Sequence, residues 1–215
     1  MRPRAHHHHR TIPGSVTGRS PRTVRPAAAY RQRGATGISA EAFAAPEAWH
    51  EPQDEPTGAR FIAQRAGEGY IHPVTIAEVR DRMAALPKKF ADAVDVVQFS
   101  TMTRKRRLFP CYGMQWGSNV YLYPIEASLT ERYIRPPRPE QLVEAKMFGG
   151  VWSEQGREWR LTWTPETIRD FYLNNVLIHE IGHVLDHRNT NPHAREQFAI
   201  WFATEYGYRA ARGRR

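Results

Sequence analysis

The chain has 215 residues, 40% apolar and 25% charged, the balance of a globular domain rather than a fibrous or wholly disordered one. Its net charge of +9 invites a nucleic-acid reading, yet residues 1–40 hold eight Arg, no Lys and no acid, leaving 23 basic and 22 acidic residues in the rest. The basic excess therefore belongs to the tail, and nucleic acid is not the expected partner. A single cysteine, Cys111, excludes an internal disulfide framework and fits a reducing compartment. No apolar run reaches the roughly 18 residues of a membrane span, so no membrane partner is expected. The N-terminus also lacks the apolar stretch of a secretory signal. A cytoplasmic location follows as the expectation.

Residues 1–60 are rich in Arg, Pro, Ala and Gly with no sustained hydrophobic period. They cannot bury enough surface to offset ordering entropy and are expected to be a disordered basic tail. Residues 61–215 form the expected folded domain. Thr75–Leu86 reads as a helix, with Ile76, Val79, Met83 and Leu86 on one stripe and Thr75 as cap. Val94–Ser100 and Asn119–Tyr123 read as strands, being rich in β-branched and aromatic residues. The run Arg104-Lys105-Arg106-Arg107 reads as a solvated basic loop, and Arg135–Pro139 as an irregular connector. Gly149–Trp152 and Glu158–Trp163 flank a glycine turn and predict a hairpin.

From Thr164 onward the pattern changes. Thr164-Pro165-Glu166 supplies a cap, a proline at the first helical position and an acid in the first turn. The residues up to about Asp186 are apolar on nearly every face, which predicts a buried helix. A second helix is expected from Asn191-Pro192 to about Arg209.

The buried helix carries His179-Glu180-Ile181-Gly182-His183. Two histidines four residues apart lie one turn along the same face, so both imidazoles can meet one ion. A glutamate directly after the first histidine is offset around the helix, where it can reach a water on that ion. Buried, two histidines and a glutamate without partners would be costly, which favours metal binding over chance. Gly182, costly inside a helix, is expected either to allow close approach of another element or of substrate, or simply to be tolerated by the packing. Asp186 is expected either to orient a ligand or to accept from backbone donors.

The third ligand is open between Glu196, Glu205 and His193. His187 lies eight residues from His179, roughly 12 Å along the axis, too far to share one ion. Glu196 is favoured because its face carries Ala199, Ala203, Gly207 and Ala210, small residues that let a second helix approach closely. Glu205 lies among Phe198, Trp201, Phe202 and Tyr208, a face suited to core packing.

The stretch VLIHEIGHVLDH followed by REQFAIWFA resembles zincin-fold metallopeptidases of the gluzincin type, the minigluzincins in particular. The resemblance implies an α+β, zincin-like fold, with a small mixed sheet on a buried active-site helix and a C-terminal helix bearing a ligand. It implies Zn2+ on His179, His183 and Glu196, Glu180 as general base, and a peptide or protein as substrate. Ile200 departs from the Asp or Asn usual four residues after the ligand glutamate. The fold also implies a strand edge that holds the substrate, for which Asn119–Tyr123 is the candidate, a short core strand being equally compatible with its residues. Tyr206, Tyr208 and His193 are candidate oxyanion donors. The expected function is zinc-dependent hydrolysis of peptide bonds. The rival readings are a nucleic-acid-associated protein using the tail and residues 104–107, and a non-catalytic domain stabilised by zinc.

Overall fold

The computed structural model describes residues 45–51, 58–108 and 110–213, so the expectation for residues 1–44 lies outside the described residues. The chain is mixed α and β, with small sheets packed on helices.

Strand β1 (Arg60–Ala63) is followed by β2 (Tyr70–Ile71) and helix α1 (Ile76–Ala84). Thr75 caps α1 by accepting from the Glu78 backbone while the Glu78 carboxylate accepts from the Thr75 N–H, a reciprocal capping box. A short turn of helix, α2 (Lys88–Ala91), leads into β3 (Val96–Phe99), which is buried along its whole length. The basic run is not a loop but a helical turn, α3 (Arg104–Leu108). Its Arg106 is buried, with the guanidinium over the Tyr123 ring and an ion pair to Glu47 at 3.2 Å. The reason is the aromatic and acidic partners that the sheet and the preceding segment offer to one of the four cations.

Strands β4 (Gly113–Trp116) and β5 (Asn119–Leu122) form a hairpin, then come β6 (Ile125–Glu126) and β7 (Thr130–Tyr133). Helix α4 (Pro139–Met147) starts at the end of the expected connector, with Pro139 in its first turn. The hairpin β8 (Val151–Gln155) and β9 (Glu158–Thr162) turns at Gly156, whose φ of +65° suits glycine. Helix α5 (Pro165–Phe171) runs through a π-helical stretch, Tyr172–Val176, into α6 (Leu177–Leu185). Helix α7 (Pro192–Phe202), capped by Asn191, likewise continues as a π-helical stretch, Ala203–Arg209. No helix among the described residues is long and apolar enough to cross a membrane.

The main sheet has the order β1-β3-β5-β4, with β1, β3 and β5 parallel and β4 antiparallel at one edge. Strand β5 is paired on both sides and buried throughout. The expectation that Asn119–Tyr123 is a free, substrate-holding edge is therefore corrected: its ladder groups are consumed by β3 and β4. The edge beside α6 belongs to β4.

Alternation along the strands sends two faces into different surroundings. Val97, Phe99, Val120 and Leu122 pack in one cluster with Leu177, Ile178 and Ile181 of α6. Gln98, Asn119, Tyr121 and Tyr123 lie on the opposite register, where residues 45–51 meet them. His50 Nε2 is 2.7 Å from Gln98 Oε1, Asn119 Nδ2 donates to the His50 carbonyl, and Tyr123 donates to Glu47. This part of the stretch expected to be disordered is placed, because it satisfies polar groups that the far face of the sheet would otherwise bury.

Candidate metal centre

Helix α6 is buried on nearly every side: Leu177 through Val184 are all inaccessible. Its neighbour α7 runs antiparallel to it. Gly182 faces Ala199 and Phe202, while Gly207 faces Asn174. A Cβ on Gly182 would stand 3.0 Å from the Ala199 Cα, so the glycine answers to the second helix. Ala199 and Ala203 are buried in the same contact. Small residues on both helices thus bring the backbones close enough for a short carboxylate to reach across.

At this crossing three side chains converge. His179 and His183 lie with Nε2 atoms 3.1 Å apart and rings nearly perpendicular at 81°. Glu196 places one oxygen 3.5 Å from His179 Nε2 and the other 3.4 Å from His183 Nε2. All three are buried, at 2%, 6% and 5% exposure, so their interaction is not diluted by solvent. This His179–His183–Glu196 cluster could hold a metal ion. The structure brings together the two helical histidines and the favoured glutamate.

The alternatives fall elsewhere. Glu205, in the second π-helical stretch, forms an i,i+4 ion pair with Arg209 at 2.5 Å. His187 is exposed, and His193 is exposed in the first turn of α7. Of the oxyanion candidates, Tyr206 packs on Phe90 and Phe202, and Tyr208 on Phe148 and Arg212. They follow Glu196 by ten and twelve residues, about 15 Å or more along the axis, which removes them from the cluster. Two tryptophans serve the core instead of a pocket here, Trp163 buried against Phe171 and Trp152 packed on Tyr133.

Glu180 points another way around α6. A Cβ added to Gly113 would lie 2.8 Å from Glu180 Cγ and 2.9 Å from its Oε1. The carboxylate therefore lies over the first residue of β4, in room that only glycine leaves. Neither β4 nor Gly113 carries a signal strong enough to be read from sequence: a four-residue strand with one glycine is too short for a period.

The end of α6 is fastened by two further residues. Asp186 accepts from the backbone of Arg188 and Asn189 and from the Asn189 side chain at 3.0 Å. Of its two expected roles it takes the backbone one. Burial pushes its carboxyl up, but these donors more than offset that and hold it below the usual range. Arg195, beside Glu196, donates to the carbonyls of His183 and Asp186 at 3.3 and 3.0 Å, and its guanidinium also meets Gln115 of β4 at 3.5 Å. A cation at a helix C-terminus meets unpaired carbonyls there. Arg195 thus ties α6, α7 and β4 at the cluster, a role with no spacing signature.

Comparison with protein-family models, with curated proteins and with solved structures found no match for the chain.

Proposed function

We propose that the chain is a zinc-dependent peptide hydrolase of zincin-like design, with the ion on His179, His183 and Glu196. The observation that carries this reading is the convergence of three buried side chains, the two imidazole Nε2 atoms 3.1 Å apart and each within 3.5 Å of a different oxygen of Glu196. Donors that share one ion tetrahedrally at about 2.0–2.1 Å stand about 3.3 Å apart, and the 3.1 Å between the two imidazole nitrogens suits such sharing. A buried carboxylate between two imidazoles also calls for a positive charge, which a divalent cation supplies without protonating a histidine. Two nitrogens and one oxygen, with a coordination position left over, suit a catalytic site better than a closed structural one.

Zinc in such a set acidifies water and polarises a carbonyl. Glu180 does the proton work: its carboxylate takes a proton from the attacking water and returns it to the departing amine nitrogen. Its place over Gly113 sets the base against β4, whose outer edge offers backbone donors and acceptors to an extended peptide. The antiparallel edge strand, the helix packed beneath the sheet and the second ligand-bearing helix are the features that support the zincin-like reading.

The test compares wild type with Glu180→Gln, both loaded with zinc. Equal zinc content, with cleavage of an unfolded protein substrate by wild type and a loss of at least about a hundredfold in the variant, is the expected result. Full activity in Glu180→Gln would remove the base assignment.

A further inference from the structure

The three-stranded sheet has the order β7-β9-β8, and its two faces are unlike. Toward the core it turns Glu131, Tyr133, Trp152, Trp159 and Leu161. Alternation sends the residues between them outward in cross-strand rows. Val151, Thr162 and Thr130 form one row, Ser153, Arg160 and Arg132 the next, and Gln155 with Glu158 a third.

The middle row holds two like charges. Arg132 and Arg160 are directly opposite on adjacent antiparallel strands, so their Cβ atoms stand about 5 Å apart on one face. Such a pair destabilises the ladder unless an anion lies between its members. Both arginines are partly buried, and among the described residues neither is in an ion pair or a hydrogen bond. Arg160 Nε is itself buried without an acceptor. Glu158 shares the face two residues along β9, roughly 6.6 Å away, and pairs with neither. Elsewhere the buried or bridging arginines hold the fold: Arg82 donates to Asn174, Arg106 pairs with Glu47 and Arg195 donates to the end of α6. Arg132 and Arg160 brace nothing.

We propose that this face binds the phosphate of a phosphorylated serine or threonine in a polypeptide, held between Arg132 and Arg160 with the Ser153 hydroxyl as a further donor. Guanidinium forks match the oxygens of a phosphate, whose charge near −2 cancels the repulsion across the row. The rows on either side carry Thr, Val, Gln and Glu, so the cations serve one phosphate rather than a strand of them. No aromatic residue lies in the outward rows to stack a base, which disfavours single-stranded nucleic acid. Chain on both sides of the phosphorylated residue finds apolar surface, since Val151 is 62% exposed and Ile134, just past the other end of β7, is 60% exposed. Free phosphate would use neither. Nothing in this site depends on hydrolysis at the metal cluster.

The test is fluorescence polarisation of the full-length chain with labelled nonapeptide libraries whose central residue is phosphoserine, phosphothreonine, glutamate or serine. The phosphorylated libraries should bind at least about tenfold tighter than the glutamate and serine ones. Arg132→Gln and Arg160→Gln should each weaken that binding about tenfold or more, the worth of a charge-assisted contact. Neither should lower the thermal midpoint, because each removes a like-charge pair. The Arg-rich N-terminal residues are the same in all three proteins, so their attraction for anions cancels from the comparison. Oligothymidine binding should be unchanged by either substitution, and inorganic phosphate should compete at least about tenfold less well than a phosphopeptide. Phosphorylated and serine libraries binding alike, or phosphopeptide affinity that survives both substitutions, overturns the site. A lowered thermal midpoint would make the arginines structural and overturns it as well. Oligothymidine binding lost in parallel with the phosphopeptide, or phosphate competing equally well, overturns the phosphopeptide as occupant.

Discussion

The two ends of the helix pair are held together by the same device and used differently. At one end, Gly182 of α6 lies under Ala199 and Phe202 of α7, and two histidines and a glutamate meet beside the contact. At the far end the glycine is on the other helix: Gly207 lies against the Asn174 backbone, where an added Cβ would stand 2.0 Å from the carbonyl oxygen. There Arg82 of α1 donates to Asn174 Oδ1 at 2.6 Å and to the Tyr206 carbonyl, joining both π-helical stretches. One end is polar and positions donors, the other is a structural lock. The distance between the helices, on which the meeting of His179, His183 and Glu196 depends, is set by backbone contact at both ends.

The comparison is broken most severely at the lock. Gly207→Ala forces the backbones apart and should cost about 3 kcal/mol or more, since overpacking against main chain cannot be relieved by a rotamer. Thermal unfolding should fall by roughly 10 °C with or without added zinc. A variant as stable as wild type would show that the two helices are not held there. Gly182→Ala sharpens the contrast. The contact is milder, at 3.0 Å, and alanine recovers about 1 kcal/mol of helix propensity, so net stability should change little. Zinc affinity should nevertheless fall about ten- to a hundredfold, because a small separation of the helices moves Glu196 off the histidines. Unchanged affinity would mean that the cluster tolerates looser packing than proposed.

The smallest effect is expected on the far face of the sheet, where Glu47 anchors residues 45–51. Burial pushes its carboxyl up, but the Arg106 charge, its own backbone N–H and the hydroxyls of Thr103 and Tyr123 outweigh this and hold it low. A lowered folded pKa means stabilisation that is present above the ordinary carboxylate range and lost as pH falls through the lowered value. Hydrogen exchange of residues 45–51 should therefore be protected at neutral pH and lose protection, relative to β3, only below about pH 4. Loss at pH 6 would assign the anchor to another group.

Much of this architecture is legible in the sequence where one local rule dominates. Thr75 and Thr164 cap helices that begin one residue later, Asn191 does the same for α7, and the two histidines of α6 meet as their four-residue spacing implies. Glu196 was reachable by a weaker argument, the small residues on its face, because close approach leaves that trace. What is not legible depends on partners distant in sequence. Strand β4 is four residues long, yet its Gly113 makes room for Glu180, 67 positions later. The edge role expected of Asn119–Tyr123 went instead to β4, since pairing order is not written in a strand's own residues. The π-helical stretches have no period that distinguishes them from α-helix over five to seven residues. Arg106 looks like a solvated charge until the sheet and Glu47 close around it.

The central claim is that one metal ion is held by two residues of α6 and one of α7. Its most direct test is zinc stoichiometry and affinity, by elemental analysis and calorimetry, on wild type, Glu196→Ala and Glu205→Ala. The account predicts one zinc per chain in wild type and in Glu205→Ala, and loss of tight binding in Glu196→Ala. Tight zinc binding retained in Glu196→Ala, or none in wild type, would contradict it.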